Sequence, residues 1–198
     1  MAFMKRAIDI FGAVLGLLFL LPTLPLIALA IFLEDGRLFI IKQRRVSKGK
    51  IVMVYKFRSM VKGAEKMKAG LMEKNERSDG PFFKIKNDPR ITKVGKILRR
   101  TRLDEFPQFF NVLKGELSLV GPRPHEPEEL FAYPPEFREI CFAKSGLTGL
   151  SQISGNSKLP FLQELELDRR YLKNQSIFLD LEIIAKTILI LLCRPDGI

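Results

Sequence analysis

The chain has 198 residues, a length that suits one domain and leaves little room for two. With 46% hydrophobic and 28% charged residues, it is neither a disordered chain nor a polytopic membrane protein. The formal net charge of +11 is unevenly spread, because residues 37–102 hold 21 Lys and Arg against 5 Asp and Glu, whereas residues 103–198 hold 10 against 14. Such asymmetry favours a polyanionic partner or an anionic membrane surface.

The cysteines argue against two common kinds of small domain. Cys141 and Cys193 are the only two, and neither belongs to a Cys-x-x-Cys or Cys/His cluster. This pattern disfavours a disulfide framework and a zinc site, and it fits a reducing compartment.

The first predicted element is an apolar segment, Ile10–Leu33, with 24 residues and no charged side chain. As a helix it could cross a bilayer core of about 30 Å. A signal peptide fits poorly, because the run is long, Asp9 stands at its front and no cleavage site follows before Glu34. From hydropathy alone, a single transmembrane anchor is the simplest interpretation.

Two features favour instead a helix that enters and leaves the membrane on one side. Pro22 and Pro25 lie near the middle of the run and predict a bend. Basic residues flank both ends: Lys5, Arg6, Arg37, Lys42, Arg44 and Arg45. Because basic flanks favour the cytoplasmic side, a re-entrant helix satisfies both ends and a straight span does not. We therefore predict a re-entrant membrane helix over residues 1–36 and a cytoplasmic domain over residues 37–198.

The next segment predicts a β-hairpin and then an amphipathic helix. Leu38–Gln43 and Ile51–Phe57 are rich in β-branched and aromatic residues, and Ser47–Lys50 supplies the turn. Val61–Lys74 has apolar residues at helical spacing and a lysine-rich opposite face. That helix either lies solvated on the domain surface or rests on the membrane.

The rest of the chain is predicted to be mostly helical. In order, the elements are a turn, two helices, a Gly/Ser loop and a third helix: Asn87–Arg90, Lys93–Arg100, Leu103 to Gly115, Ser145–Pro160 and Phe161–Asn174. Ser176 caps a last helix, Ile177–Cys193, whose 17 residues include three charges. That helix is too short and too polar early to span a bilayer, so we expect it to dock on the core or rest at the membrane interface.

Asp104 and Glu105 are adjacent carboxylates that directly follow three arginines: Arg99, Arg100 and Arg102. We place Asp104 as the N-cap of its helix, with Pro107 in the first turn. The positive helix end and the arginines both favour the charged carboxylate, so we expect Asp104 to stay ionised at neutral pH. An ionised aspartate can bind a hard cation such as Mg²⁺ or attack phosphorus. On this pair alone, a simple helix cap is the better interpretation.

Cationic side chains elsewhere are candidates for binding phosphate. Arg123 lies between two prolines on a stiff loop, and a fixed guanidinium suits the geometry of a phosphate. Lys56 and Arg58 end the second hairpin strand. Each of these three has a plainer interpretation as an ion pair or a solvated charge. Together with an acidic nucleophile and a membrane insert, however, they indicate phosphoryl transfer at a membrane surface.

The sequence resembles the bacterial sugar transferase family, the monotopic phosphoglycosyl transferases that act on polyprenol phosphate. The matching segments run nearly end to end, in order: KRAID (Lys5–Asp9), YKFRSM (Tyr55–Met60), NDPR through GPRP (Asn87–Pro124), GLTGLSQISG (Gly146–Gly155) and LDRRYLKNQSIFLDL (Leu167–Leu181). Without extra N-terminal membrane helices, the chain resembles the minimal form of the family. The expected fold is α+β and mainly helical, with a re-entrant helix, a small β-hairpin and amphipathic interfacial helices in a monotopic membrane protein.

The resemblance implies a reaction, a cofactor and a set of roles. A sugar 1-phosphate would move from a UDP-sugar to undecaprenyl phosphate with release of UMP, as the first membrane step of glycan or exopolysaccharide assembly. Magnesium (Mg²⁺) and a two-step ping-pong course are implied, in which Asp104 forms a covalent phosphosugar intermediate and also meets the metal. Glu105 would either deprotonate the acceptor or orient the nucleophile. The candidates for binding phosphate or substrate are Arg123, Lys56, Arg58, Arg90 and Arg99.

The resemblance also bears on the membrane helix and on localisation. Relatives often carry Ser-Pro at the bend, whereas this chain has Leu21-Pro22 followed by Thr23 and Pro25. A hydroxyl can bond a carbonyl freed by proline, so Thr23 is the candidate replacement. We expect a catalytic domain, residues 37–198, on the cytoplasmic face of the bacterial inner membrane. The sugar stays open among galactose, N-acetylated and diamino sugars, as do a homodimer and glycosyltransferase partners.

Two other functions compete with this interpretation. A nucleic-acid binder would explain the basic segment 37–102, but not the apolar run or the acidic pair, and no zinc-finger or RNA-recognition signature occurs. We therefore expect no nucleic-acid partner. A non-catalytic membrane scaffold for glycan assembly is the second alternative, and it would not depend on Asp104.

Overall fold

The computed structural model describes residues 2–36, 38–77, 79–155 and 159–193. Arg37 of the predicted basic flank and residues 156–158 of the predicted Gly/Ser loop lie outside the described residues. The α-helices are α1 (Ala2–Leu20), α2 (Leu24–Asp35), α3 (Ala64–Gly70), α4 (Lys93–Arg100), α5 (Phe109–Lys114), α6 (Leu150–Ser154), α7 (Phe161–Lys173) and α8 (Ile177–Cys193). The strands are β1 (Ile40–Ser47), β2 (Lys50–Phe57), β3 (Ser118–Val120) and β4 (Gly146–Thr148). Short 3₁₀ helices cover Met72–Lys74, Leu103–Gln108, Glu129–Ala132 and Pro135–Phe142. The prediction of a mainly helical α+β fold with a small hairpin is confirmed.

The predicted break in the apolar run lies between α1 and α2, whose axes differ by 61°. Pro22 lacks the backbone donor that a continuous helix needs there. The hydroxyl of Thr23 donates to the carbonyl of Leu20 over 2.9 Å, so the predicted bond from this hydroxyl to a carbonyl at the break is present. No single helix in the described ranges is long and apolar enough to cross a membrane. Together, α1 and α2, hereafter called the bent pair, meet the requirements of length and composition.

Charged residues tie the start of α1 to the folded domain. Lys5 Nζ lies 2.7 Å from a carboxylate oxygen of Asp180 in α8. Arg6 donates to two backbone carbonyls at the end of α5, over 2.6 and 2.7 Å. Asp9 is buried and accepts a hydrogen bond of 2.8 Å from the hydroxyl of Ser118 in β3. The basic residues before the apolar run therefore bond to the domain that follows it.

The end of α2 is tied to the same domain. The carboxylate of Glu34 accepts the backbone N–H groups of Lys93 and Val94, over 2.7 and 2.9 Å, at the start of α4. Asp35 forms an ion pair of 3.3 Å with Arg58. Both ends of the bent pair thus attach to one domain, while many apolar side chains on its outer face stay exposed: Phe3, Phe11, Leu18, Phe19, Leu26, Phe32 and Leu33.

The predicted hairpin forms, with a tighter turn than expected. β1 and β2 pair antiparallel from Ile40 opposite Phe57 to Ser47 opposite Lys50. The turn is only Lys48-Gly49, and both residues have positive φ, 53° and 67°. Such a two-residue turn matches the twist of the strands, so β1 continues four residues beyond the predicted end at Gln43.

A second, parallel strand pair was not predicted: β4 lies in the predicted Gly/Ser loop, and no element was predicted for the residues of β3. Ser118 of β3 pairs with Gly146 of β4, and Val120 pairs with Thr148. A Cβ at position 146 would meet the backbone nitrogen of Gly121 at 2.1 Å, so the pairing requires glycine there. The prediction of a loop over Ser145–Pro160 is wrong in part, because β4 and α6 both lie within it.

The other helices follow the predictions with changes at their ends. α4 and α8 have the predicted bounds, and Ser176 accepts the backbone N–H of Leu179 as the cap of α8. The helix predicted over Val61–Lys74 is reduced to α3 and one 3₁₀ turn, since Gly63, with φ 76°, immediately precedes α3. Gly115 ends α5 in the left-handed conformation, with φ 80°, as predicted.

Candidate active site

The chain brings Asp104 and Glu105 to the site on a 3₁₀ helix that follows α4. Arg102 turns the chain in the left-handed conformation, with φ 60°, and occupies the position before the 3₁₀ helix. The prediction that Asp104 is an N-cap is therefore wrong, because it lies inside the first turn and its side chain caps nothing. Asp104 is only 8% exposed. A buried carboxylate at a helix start needs an explanation beyond capping.

Both carboxylates line a cavity of about 420 Å³ whose wall is mostly polar and charged. Its cationic lining residues are Arg45, Lys56, Lys68, Arg77, Lys84, Arg90, Arg99, Arg102 and Arg123. Its acidic lining residues are Glu65, Asp88, Asp104, Glu105, Glu126, Glu129 and Glu164. The cationic excess suits a ligand with several negative charges, such as a nucleoside diphosphate.

Glu105 is held by Lys56, whose Nζ lies 2.7 Å from Oε1 of the carboxylate. Burial opposes ionisation of Glu105, but the charges of Lys56 and Arg123 outweigh burial and lower its pKa to about 2. Glu105 is therefore a fixed negative charge beside Asp104 at any pH near neutral.

Asp104 behaves differently from its neighbour. Burial, together with the charge of Glu105, raises the pKa of Asp104 to about 6, although Lys56 and Arg99 act in the opposite direction. The arginines lower this pKa as expected, but the loss of water around the buried carboxylate outweighs their attraction, so the net shift is upward. With this pKa, about nine in ten molecules still have an ionised Asp104 at pH 7. A carboxylate with a raised pKa is more basic and a better nucleophile than a solvated one.

The structure brings four of the five predicted phosphate-binding candidates to the cavity: Lys56, Arg90, Arg99 and Arg123. Arg99 donates from Nε to the hydroxyl of Ser59 over 2.9 Å, which fixes the guanidinium in the wall. Arg90 is buried and its guanidinium donates three hydrogen bonds to Asp88, of 2.9, 3.2 and 2.7 Å, so much of its charge serves an internal ion pair. Arg58 is not among the residues that line the cavity.

Arg123 lies on the loop that follows β3, and a buried aspartate holds this loop in place through a hydrogen bond to its backbone. The backbone N–H of Arg123 donates to Asp168 of α7, which is fully buried and also accepts the hydroxyl of Ser151 over 2.7 Å. The lone histidine, His125, is buried against Phe82 and is not among the residues that line the cavity.

Sequence reasoning missed two segments that line the cavity, residues 65–77 and residues 82–85. Lys68 and Arg77 both line it, and the guanidinium of Arg77 lies 4.6 Å from the ring centre of Phe82. Lys68 Nζ lies 3.6 Å from Glu126, on the loop that follows Arg123. Of the lysines in the predicted helix, Lys68 lines the cavity, whereas Lys62, Lys66 and Lys74 are exposed, so the lysine-rich pattern was only a partial signal.

The donor set can accommodate Mg²⁺ if substrate phosphates supply ligands. Among the described residues, no group of three or more His, Cys, Asp or Glu side chains is placed to hold a metal. Mg²⁺ is often bound by one or two carboxylates together with substrate phosphates and water. Asp104 fits this pattern, whereas Glu105 is engaged by Lys56.

Comparison with known proteins gives the family. The family described as bacterial sugar transferase matches residues 1–194. This chain belongs to the bacterial sugar transferase family. An exopolysaccharide production protein, PSS, of Rhizobium leguminosarum bv. phaseoli is 38% identical over 209 residues, which cover 98% of this chain and 98% of that relative.

Longer relatives match over their shared part. The galactosyl transferase CpsE of Streptococcus agalactiae serotype III is 42% identical over 197 residues, which cover 95% of this chain and 42% of that protein. The undecaprenyl-phosphate galactose phosphotransferase of Salmonella typhimurium is 38% identical over 198 residues, which cover 98% of this chain and 41% of that protein. This bacterial sugar transferase thus spans about two fifths of the length of these two relatives.

Proposed function

We propose that this protein transfers a sugar 1-phosphate from a UDP-sugar to undecaprenyl phosphate and releases UMP. The observation that carries the proposal is Asp104, a buried carboxylate of raised pKa in a cationic cavity, next to an apolar helix pair. Membership of the family and relatives named as undecaprenyl-phosphate galactose and glucose phosphotransferases support it. The reaction would be the first membrane step of glycan assembly.

In the first step, a carboxylate oxygen of Asp104 attacks the phosphorus that carries the sugar. The new bond is an acyl phosphate, and the bond that breaks is the diphosphate P–O bond, so UMP leaves with that bridging oxygen. Lys56, Arg99 and Arg123 face the cavity and would stabilise charge on the phosphate oxygens as the bond breaks. Burial of Asp104 removes water that would otherwise compete as nucleophile.

In the second step, a phosphate oxygen of undecaprenyl phosphate attacks the same phosphorus. The acyl phosphate bond to Asp104 breaks, the carboxylate is regenerated and the lipid diphosphate sugar is formed. We propose that Glu105 mainly orients the site, because its pKa of about 2 makes it a weak proton acceptor while Lys56 holds it. Its fixed charge contributes to the raised pKa of Asp104.

We propose Mg²⁺ as the cofactor, held by Asp104 and by the diphosphate of the donor. When bound, it supplies positive charge that offsets the diphosphate and stabilises the departing UMP.

The bent pair is proposed to be a re-entrant helix that makes the protein monotopic. Lys5, Arg6 and Asp9 bond at its start to the same domain that Glu34 and Asp35 hold at its end. A straight span would separate these ends by the thickness of a bilayer. The catalytic domain would then face the cytoplasm at the bacterial inner membrane. Labelling of an N-terminal cysteine in sealed vesicles tests this, and labelling from the side opposite to the domain would exclude it.

One assay tests the proposed reaction. The protein is incubated with undecaprenyl phosphate and a panel of UDP-sugars that includes galactose, glucose, N-acetylated and diamino sugars, and UMP is measured. We expect release with at least one donor and near-complete loss in Asp104→Asn. Glu139→Gln, a change at an exposed carboxylate paired with Arg169, is the matched control and should retain activity. Lipid-linked product made by Asp104→Asn at the wild-type rate would contradict the proposal.

A further inference from the structure

A second cavity lies outside the catalytic site, between α2 and the chain that enters β1. This groove has a volume of about 700 Å³ and shares no lining residue with the catalytic cavity. Its lining side chains are five apolar or aromatic groups and one cation: Ala28, Leu29, Phe32, Leu38, Phe39 and Arg58. Its volume is in the range of ligand-binding pockets, about 300–1,000 Å³.

The apolar part of the groove continues the outer face of the bent pair. Leu29, Phe32 and Leu38 are 54%, 58% and 78% exposed, so over half of each side chain lacks cover from the protein. In the proposed membrane arrangement, in which α2 is part of the re-entrant helix, the groove would open toward lipid and not toward bulk water. An apolar chain can therefore lie in it without crossing a polar surface.

Arg58 provides one charged end to this otherwise apolar groove. Its Nε donates to the carbonyl of Leu38 over 3.0 Å, and its Nη1 lies 3.3 Å from Asp35. A guanidinium has five N–H donors, so these contacts orient the group and leave it able to bind a phosphate as well. An apolar groove with one fixed guanidinium matches an amphiphile that has an anionic head.

The cationic end of the groove also lies close to the catalytic cavity along the chain. Arg58 comes two residues after Lys56, whose ammonium contacts Glu105. In extended chain this is a Cα separation of about 7 Å. Arg58 lines the groove and Lys56 lines the cavity that contains Asp104, so the two sites lie on either side of residue 57.

We propose that this groove is the binding site of the lipid acceptor, a long-chain polyprenyl phosphate. The isoprene units nearest the head lie against Leu29, Phe32 and Leu38, and the phosphate monoester binds Arg58 before it reaches Asp104. This inference rests on the proposed function, since it assigns the acceptor of that reaction. It gives Arg58 the substrate-binding role predicted from sequence at a place separate from the catalytic cavity.

The ping-pong course allows the groove to be tested apart from the chemistry. In single-turnover assays with the donor alone, Arg58→Gln should release UMP like the wild type. With acceptor present, the same variant should raise the acceptor KM by tenfold or more and leave the donor KM unchanged. Asp35→Asn removes the ion-pair partner but keeps the guanidinium, so it should leave the acceptor KM unchanged or lower it. Equal increases in Arg58→Gln and Asp35→Asn would show that only the ion pair matters and would overturn the proposal.

A second pair of variants tests the apolar part. Ala28→Trp places a ring in the groove and should raise the acceptor KM, whereas Leu26→Trp, on the same helix but outside the groove, should not. A photoreactive polyprenyl phosphate should label Leu29 or Leu38, and excess undecaprenyl phosphate should suppress that labelling far better than phosphatidylglycerol. Equal suppression by both lipids would indicate a general lipid site and overturn the assignment. Absence of donor-dependent UMP release in the wild type would instead contradict the proposed function.

Discussion

Replacing Asp104 by asparagine should stabilise the folded protein at neutral and alkaline pH. Its pKa rises from 3.8 to about 6 on folding, because burial and Glu105 disfavour the charged carboxylate. Each pKa unit corresponds to about 1.4 kcal/mol, so ionised Asp104 costs up to about 3 kcal/mol of the free energy of unfolding. Asparagine removes the charge and most of this cost, as expected for a group retained for chemistry and not for stability.

The pH dependence follows from the direction of the shift. A carboxyl whose pKa is raised by folding binds more protons in the native state, so its contribution to stability is fully present below pH 3.8 and is lost as the pH rises through 6. The advantage of Asp104→Asn should therefore be about 3 kcal/mol at pH 8 and about half of that at pH 5. Chemical unfolding of both proteins in the same detergent at these two pH values measures it.

Asp79→Asn is a control that should change the stability in the opposite direction. A hydrogen bond and ion pair with Arg77 lower the pKa of Asp79 to about 2, so its charge favours folding and its removal should lower the melting temperature at pH 8. A loss of stability in Asp104→Asn at pH 8, or a gain that is the same at both pH values, would refute the electrostatic account of Asp104.

Three further changes test the packing that holds the site and the membrane helix. Gly16→Ala should lower the melting temperature by several degrees, because the new Cβ would lie 2.4 Å from the ring of Phe109; thermal unfolding measures it. Asn111→Leu should cost about 2–4 kcal/mol in chemical unfolding, since this fully buried amide bonds the β2 backbone through both its oxygen (3.0 Å) and its nitrogen (2.8 Å). Thr23→Val should cost about 1 kcal/mol in the same assay, because the carbonyl of Leu20 loses its hydroxyl donor at the bend.

Matched variants separate these effects from general intolerance to mutation. Gly70→Ala adds the same methyl group as Gly16→Ala at a helical glycine with no atom within 4 Å, and it should be neutral or slightly stabilising. Thr23→Ser keeps the hydroxyl and should retain wild-type stability. Equal losses in Gly16→Ala and Gly70→Ala, or in Thr23→Val and Thr23→Ser, would contradict the contacts on which the predictions depend.

Local patterns in the sequence predicted the elements that depend on local interactions. α4 has the predicted bounds because Thr92 caps it, accepting the N–H of Gly95, and the hairpin forms because its strands are rich in β-branched residues. The bend at Pro22 and the role of Thr23 follow from backbone chemistry within a few residues. These features need no knowledge of the rest of the fold.

Features that depend on distant parts of the chain could not be predicted in this way. β3 and β4 are three residues each, and only their pairing across 28 positions defines them. The direction of the pKa shift of Asp104 depends on burial, which neighbouring arginines in the sequence do not reveal. Lys56 and Arg58 look equivalent in sequence. In the structure, however, Lys56 contacts Glu105, whereas Arg58 contacts Asp35 at the C-terminal end of α2.

The most direct test of the account is to look for the covalent intermediate on Asp104. The protein is mixed with a UDP-sugar that carries a label in the sugar, with no lipid acceptor present, and the digested protein is examined by mass spectrometry. We predict one phosphosugar per chain on the peptide that contains Asp104, lost again when undecaprenyl phosphate is added. Lipid-linked product that accumulates while this peptide never carries the label would contradict the central claim.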